Sequence, residues 1–164
     1  MVSIDAALIE FLTSGLVLGA ATRDDRLVPD VVRPAGLRVE PGGQEVTFFV
    51  ATITAGQMLK NVESNRRVAL VFSHPQDNRS VQLKGPVLEI RPAREDERPL
   101  MDQYRARFAR MLEPLGVPPS FVMRTQLWPA VAVRFAVEQM FLQTPGPAAG
   151  APFEGPLRSP GPQP

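Results

Sequence analysis

Hydrophobic and polar residues alternate along much of this chain, which is the pattern of β-strands with one buried face. In the segment from Arg79 to Ile90, the apolar Val81 and Leu83 alternate with side chains that form hydrogen bonds or carry charge. That segment can pack a core on one side and present a polar wall on the other. The pattern predicts six strands in all: Leu16–Thr22, Leu27–Val39, Val46–Ala51, Arg67–Ser73, Arg79–Ile90 and Ala130–Phe141.

Other segments have apolar residues at helical spacing. The predicted helices are Asp5–Thr13, Thr54–Ser64, Glu95–Leu115 and a short one at Ser120–Gln126. Ser3 or Asp5 is expected to cap the first helix, and Thr52 or Thr54 the second.

Prolines and glycines mark where the strands are interrupted. Pro29 and Pro34 remove ladder donors from the second strand, which places it at an edge or gives it a bulge. Gly85 and Pro86 predict a bulge in the fifth strand. Short strands separated by turns favour a mainly β protein with peripheral helices, built as a small antiparallel barrel. Strands one, three, four and six are too apolar for a sheet with one wet face, so closure or a second subunit is expected to cover them.

Composition narrows the classes of function. The chain has 164 residues, a net charge of +1 and no cysteine, which excludes disulfides, thiolate catalysis and cysteine-ligated metals and gives no reason to expect nucleic acid. The single histidine, His74, precedes a proline in a predicted turn, where a surface role is typical. No cationic leader or long apolar run is present, so we expect a cytoplasmic protein.

The chain divides at about residue 144. Residues 1–144 are predicted to form one domain, while residues 145–164 contain seven prolines and four glycines. That composition predicts a tail without packed structure, which either extends into solvent or lies across a partner subunit.

Candidate binding residues cluster where the third strand enters a helix and along the fifth strand. They are Arg33, Thr52, Thr54, Gln57, Lys60, Arg79, Ser80, Gln82 and Lys84. Helix N-termini bind anions and arginine suits phosphate, so one interpretation is a site for a phosphorylated ligand. The other is a threonine-capped helix beside a solvated strand face, which the residue pattern alone slightly favours.

Three pieces of sequence, in this order, resemble the pyridoxamine 5′-phosphate oxidase-like family of FMN-binding split barrels. Residues 52–61 (TITAGQMLKN) precede residues 65–72 (NRRVALVF), like that family's phosphate-side helix and following strand. Residues 79–85 (RSVQLKG) are similar to its next strand, and residues 137–147 (VEQMFLQTPGP) to the end of many members. The resemblance covers roughly residues 4–142.

The resemblance implies a six-stranded split β-barrel that forms a homodimer with two flavin sites at the subunit interface. By position it assigns cofactor contacts to Arg33, Thr52, Thr54, Gln57, Lys60, Arg79, Ser80 and Gln82, with Trp128 either reaching the partner's flavin or packing the interface. The expected function is FMN-dependent oxidation or reduction of an unknown small molecule.

The chain departs from the family at the phosphate helix. Gly56-Gln57-Met58 stands where the oxidase has Ser-Arg-Lys, so two cations are absent and Lys60 replaces them only in part. Weak FMN binding, F420 or haem in place of FMN, or an empty barrel that serves as a dimeric scaffold therefore stay open, as does a flavin-binding module without catalysis.

Overall fold

The computed structural model describes residues 2–153. These residues contain four helices: α1 Ala6–Leu12, α2 Gly56–Asn65, α3 Arg98–Leu112 and α4 Pro119–Met123. The same described part of the chain contains eight strands: β1 Val17–Arg23, β2 Pro29–Val32, β3 Leu37–Val39, β4 Glu45–Ala51, β5 Arg67–Ser73, β6 Ser80–Pro92, β7 Ala130–Ala136 and β8 Gln139–Leu142. Single 3₁₀ turns at Thr52–Thr54, Glu95–Glu97 and Glu113–Leu115 flank α2 and α3.

All strand pairs are antiparallel, in the order β2-β1-β5-β6-β7-β4-β3, and β8 pairs with β6. The strand β6 has 13 residues, so its first part pairs with β8 and its last part with β7. The sheet curls around one main core without closing, since β2 and β3 are its two ends. The mainly β architecture with peripheral helices is therefore as predicted.

The strand count differs from the prediction because two predicted strands each divide. Leu27–Val39 divides into β2 and β3, since Pro34 cannot donate to a ladder and Gly36 turns the chain at φ +128°. Ala130–Phe141 divides into β7 and β8 between Val137 and Glu138. There the amide of Glu138 bonds to the carbonyl of Lys84 at 2.9 Å as the chain moves from one partner to the next.

The bulge in β6 lies two residues beyond its predicted position. The register shifts between Val87 and Glu89, not at Gly85 and Pro86. Gly85 has a different role, because a Cβ at that position would lie 1.7 Å from the carbonyl oxygen of Ala136. A glycine is needed where the two backbones come this close.

The predicted cap of α1 is confirmed and that of α2 is wrong. The carboxylate of Asp5 accepts the amide of Leu8 at 2.8 Å. The N-cap of α2 is Ala55, which has no side-chain cap, while the hydroxyl of Thr54 donates to the carbonyl of Ala51 at 3.1 Å. Thr52 and Thr54 belong to the 3₁₀ turn that precedes α2, so the first amides of α2 have no side-chain hydrogen-bond partner.

The beginning of the proline- and glycine-rich tail is packed, contrary to the prediction. Gly150 adopts φ +85° and donates to the carbonyl of Leu142 at 2.7 Å, and Phe153 donates to that of Met140 at 3.1 Å. The side chain of Phe153 also packs against the main core. Proline and glycine form this tight return because turns need their backbone geometry. Residues 154–164, the rest of that predicted tail, lie outside the described residues.

A membrane-spanning helix would have to be longer and more apolar than any helix found in residues 2–153.

Candidate functional site

Arg33 lies in the four-residue connection between β2 and β3. Its guanidinium carbon is 4.1 Å from the centre of the Phe108 ring, and that ring stacks on Tyr104 at 6.0 Å and 11°. Within residues 2–153, Arg33 forms no ion pair with a carboxylate. A guanidinium that lies over an aromatic ring and has no carboxylate partner suits recognition of an anion.

A cavity of about 240 Å³ opens between this arginine, the end of β4 and the helices α3 and α4. We call it the Arg33 cavity. Its lining residues are Arg33, Pro34, Ala35, Ala51, Thr54, Tyr104, Arg105, Phe108, Val122, Thr125, Gln126 and Leu127. The wall is mostly apolar, with the two cations Arg33 and Arg105 and no carboxylate, so the cavity favours a ligand that is partly apolar and negatively charged.

Arg105 is held in place by neighbouring groups. It donates to the carbonyl of Thr125 at 3.1 Å and to the carboxylate of Asp102 at 2.9 Å. These contacts tie the segment before β7 to α3 and shape the cavity wall. Of the two cations, Arg33 is therefore the one without a protein anion beside it.

The start of α2 supplies a second anion-binding element next to the cavity. Thr54 lines the cavity, and the residues Thr52 and Gln57 near it are exposed. The side chain of Gln57 donates to Asn61 at 2.9 Å, so it bonds along its own helix. Because α2 has no side-chain cap and begins with the exposed Gly56 and Gln57, the positive end of its helix dipole is open to an anion at this point.

The departure from the family pattern has a structural basis here. Met58, which takes the place of a cation, is 0% exposed and packs in the main core, while Lys60 is exposed one turn on. An anion at this helix would therefore have backbone amides, Arg33 of the cavity wall and, further along, Lys60 as its available partners.

Trp128 lies beside the Arg33 cavity without lining it. A second depression of about 270 Å³ contains Trp128 and shares Arg105, Gln126 and Leu127 with the first. The guanidinium carbon of Arg98 is 5.5 Å from the Trp128 ring, which is half-buried against the smaller apolar cluster around Phe49. Packing is thus the role that the contacts of Trp128 show in one chain.

The fifth-strand residues do not line the Arg33 cavity. Arg79 pairs with Asp77 at 2.7 Å and lies 5.3 Å from the Phe11 ring. The hydroxyl of Ser80 is 2.7 Å from that of Ser73. Gln82 accepts a hydrogen bond from Gln143 at 3.3 Å and shares the outward sheet face with Lys84. One chain therefore brings together only Arg33 and Thr54 of the predicted residues, with the start of α2 beside them.

Sequence reasoning missed the aromatic side of the cavity. Tyr104 and Phe108 are four residues apart on α3 and were assigned to its apolar stripe, which is where they lie. Tyr104 is also the end of a buried hydrogen bond, donating to the carbonyl of Leu16 at 2.7 Å. An aromatic i, i+4 pair gives no sequence signal that an arginine from a distant loop will stack on it.

Electrostatics leave no side chain in the cavity ready to exchange protons. Burial raises the pKa of Tyr104, an effect that nearby Arg33 only partly offsets, so the phenol stays neutral. Within residues 2–153, no group of three His, Asp or Glu side chains is placed to hold a metal ion. The arrangement can bind and orient an anionic ligand, and any reaction chemistry would come from that ligand.

Comparison with known proteins supports the fold. The chain matches no protein-family model, and no curated protein matches its sequence. Solved structures do match it. HupZ of Group A Streptococcus has a TM-score of 0.54 and 17% identity, over 87% of this chain and 95% of that one.

Two further structures belong with the expected family. A Lactobacillus delbrueckii protein proposed to be a pyridoxamine 5′-phosphate oxidase has a TM-score of 0.52 and 14% identity, over 86% of this chain and 99% of that one. A Clostridium acetobutylicum protein of the pyridoxinephosphate oxidase family, related to general stress protein 26 of B. subtilis, has a TM-score of 0.53 and 16% identity, over 88% and 89%. At such identities the likeness shows the fold alone, and it confirms the expected split-barrel fold.

Proposed function

We propose that this chain binds FMN at the Arg33 cavity and acts as a homodimeric flavin-dependent oxidoreductase on a small molecule. One observation carries the proposal. Arg33 lies over the ring of Phe108, forms no ion pair within the described residues, and shares a cavity with Thr54, two residues before the uncapped start of α2. An unpaired guanidinium beside free helix amides is the arrangement that binds a phosphate group.

The residues present fit the phosphate end of FMN. Arg33 would supply charge-assisted hydrogen bonds, the α2 amides would supply neutral ones, and the Thr54 side chain would border the phosphate. The cations absent at Gly56 to Met58 lower the expected affinity by roughly one to several decades, since each charge-assisted contact contributes about 1.5–3 kcal/mol.

The ring of the flavin needs more room than one chain provides. The cavity of about 240 Å³ is smaller than the roughly 300–1,000 Å³ typical of ligand pockets. Arg79, Ser80 and Gln82 lie outside it, and a second copy of the chain would bring such groups to the ring. The homodimer is thus part of the proposal, because the site is incomplete without it.

A bound flavin would supply the electron-transfer chemistry. The chain's own part is to hold the phosphate with Arg33 and α2, and to present an apolar wall that includes Phe108 and Val122. Neutral Tyr104 keeps its proton on a hydrogen bond to Leu16, so it does not act as an acid or base.

Titration of the purified full-length chain with FMN tests this site. We expect flavin uptake, and a dissociation constant raised at least about tenfold in Arg33→Ala. The matched control is Arg110→Ala, which removes an exposed arginine of α3 that does not line the cavity. No FMN uptake by the wild-type chain, or equal affinity in Arg33→Ala, would contradict the proposal.

A flavin-binding module without turnover is the second candidate, favoured by the absence of a proton-exchanging side chain in the cavity. If the protein retains flavin that neither NADPH nor NADH reduces, the result would support a binding module rather than an enzyme. Parallel titration with F420 tests the alternative cofactor, which also carries phosphate. If native mass spectrometry shows a dimer and the protein takes up none of these ligands, a cofactor-free dimeric scaffold is the function that remains.

Haem fits the Arg33 cavity poorly. His74 contacts Asp77 at 3.0 Å in the turn between β5 and β6 and does not line the cavity. Of the usual axial ligands, only Tyr104 lines the wall, and its hydroxyl already bonds to Leu16.

A further inference from the structure

A larger cavity lies on the outward face of the sheet and shares no lining residue with the Arg33 cavity. Its volume is about 460 Å³, within the usual range for ligand pockets of roughly 300–1,000 Å³. We call it the outer groove. It is lined by Ala21, Thr22, Arg23, Arg67, Val68, Ala69, Lys84, Gly85, Glu138 and Gln139.

Strand register explains how these residues meet. Ala21 of β1 is opposite Ala69 of β5, which is opposite Lys84 of β6, which is opposite Gln139 of β8. Directly paired residues in antiparallel strands point to the same face of the sheet. The row therefore crosses four strands on the outward side.

The rim of the outer groove carries excess positive charge. Arg23 and Arg67 each lie two residues beyond the pair Ala21 and Ala69 on the same two strands, and both line the groove. Lys84 adds a third cation, and the only lining carboxylate, Glu138, pairs with Arg67. Within residues 2–153, neither Arg23 nor Lys84 forms an ion pair. Like charges on neighbouring strands destabilise a sheet, and Glu138 offsets only part of this repulsion, so an anion in the groove would relieve the rest.

The floor of the groove is low and apolar. Ala21, Ala69 and Gly85 have no side chain beyond a methyl group, so a flat ring can lie directly on the sheet. The ammonium of Lys84 is 4.5 Å from the centre of the Phe141 ring, which holds the charge at one side of this floor.

We propose that the outer groove binds a nucleoside monophosphate, with its planar base on the alanine floor and its phosphate between Arg23, Arg67 and Lys84. Both parts of the ligand are needed for this fit. The phosphate matches Arg23 and Lys84, which form no ion pair in the described part of the chain, beside Arg67, which already pairs with Glu138. The base matches an apolar floor too flat to enclose a globular group. The site is separate from the proposed flavin site and does not depend on it.

Calorimetric titration of the full-length chain with AMP, adenosine and inorganic phosphate tests the proposal. We expect AMP to bind at least about tenfold more tightly than either fragment, because each makes only half of the contacts. The double variant Arg23→Gln/Lys84→Gln should weaken AMP binding by at least about tenfold. The control Arg26→Gln/Arg110→Gln removes two exposed arginines that do not line the groove, and should bind AMP as the wild type does.

A second variant distinguishes the contribution of the apolar floor to AMP binding from that of the charged rim. Ala69→Leu places a bulky side chain on the floor, and should weaken AMP binding while leaving the weak binding of inorganic phosphate unchanged. Circular dichroism confirms that each variant is folded. AMP binding lost in Arg33→Ala but kept in the Arg23/Lys84 variant would move the site to the Arg33 cavity and overturn the proposal. No AMP binding, or equal binding of adenosine, would overturn it as well.

Discussion

The side-chain amide of Asn61 donates a hydrogen bond of 3.0 Å to the hydroxyl of Thr22, inside the protein. Asn61 is 2% exposed and Thr22 is 6% exposed, and the oxygen of Asn61 also accepts from Gln57. This pair attaches α2 to β1, and so fixes the direction in which the uncapped start of α2 points. The orientation of the proposed phosphate site therefore depends on a bond within the interior.

Replacing Asn61 with leucine should lower the free energy of unfolding by about 2 kcal/mol, because Thr22 and Gln57 lose a partner and Thr22 stays buried. Urea denaturation followed by circular dichroism measures the change. Ser64→Ala on the same helix is the control, since Ser64 is exposed and should change stability by less than about 0.5 kcal/mol. Equal stabilities of the two variants would show that the buried bond contributes nothing.

Glu97 should make the protein sensitive to acid. Hydrogen bonds from Arg91, opposed by burial and supported by Arg94, lower the pKa of Glu97 from 4.5 to about 2. A lowered pKa in the folded state stabilises the protein above pH 4.5, by about 3 kcal/mol, and this contribution is lost as the pH falls toward 2. Urea denaturation at pH 7 and pH 3 should therefore show a large stability gap between the wild type and Glu97→Gln that narrows in acid.

The control for this effect is Glu95→Gln, because the side chain of Glu95, two residues earlier, is 76% exposed. It should leave the pH dependence of stability close to that of the wild type. A gap between the wild type and Glu97→Gln that is the same at both pH values would contradict the assignment to Glu97.

Gly85→Ala should be among the most destabilising single substitutions in the sheet. The added Cβ would lie 1.7 Å from the carbonyl oxygen of Ala136, which is backbone and cannot rotate away. We expect a loss of about 3 kcal/mol or more in the free energy of unfolding. Gly56→Ala is the control, because a Cβ there meets no atom within 4 Å. An unchanged unfolding midpoint in Gly85→Ala would show that β7 and β8 can separate from β6 at low cost.

Periodicity predicted the strands and helices well where one face of each element is buried. The alternation at Val81 and Leu83 placed β6 correctly, and the stripe of α3 was continuous with its two flanking turns. These elements follow local rules, since the spacing of apolar residues decides which side packs. The two divided strands and the displaced bulge depend instead on which strand is the partner, and one sequence does not show that.

The candidate site was predictable only in part. Arg33 and Thr54 line the same cavity, while the hydroxyl of Thr54, also a candidate cap of α2, donates instead to the carbonyl of Ala51. The aromatic wall of Phe108 could not be foreseen, because it comes from a helix 75 residues further along the chain that the tertiary fold places over Arg33. Whether Gln82 and Arg79 join the site depends on a second chain, which the sequence of one chain does not position.

Tyr104 should resist ionisation as long as the protein is folded. Burial raises its pKa above the ordinary 10.0, and its hydroxyl donates to the carbonyl of Leu16. Because the folded state holds the proton more tightly than the unfolded state, this group stabilises the protein below pH 10 and the contribution falls as the pH rises further.

Tyr104 is the only tyrosine, so the phenolate absorbance reports on it alone. That absorbance should rise only together with the loss of the far-ultraviolet dichroism, whereas titration near pH 10 in a protein that stays folded would show that the phenol is open to solvent. The variant Tyr104→Phe loses the bond to Leu16 and should be about 1–2 kcal/mol less stable at neutral pH, without the additional loss above pH 10.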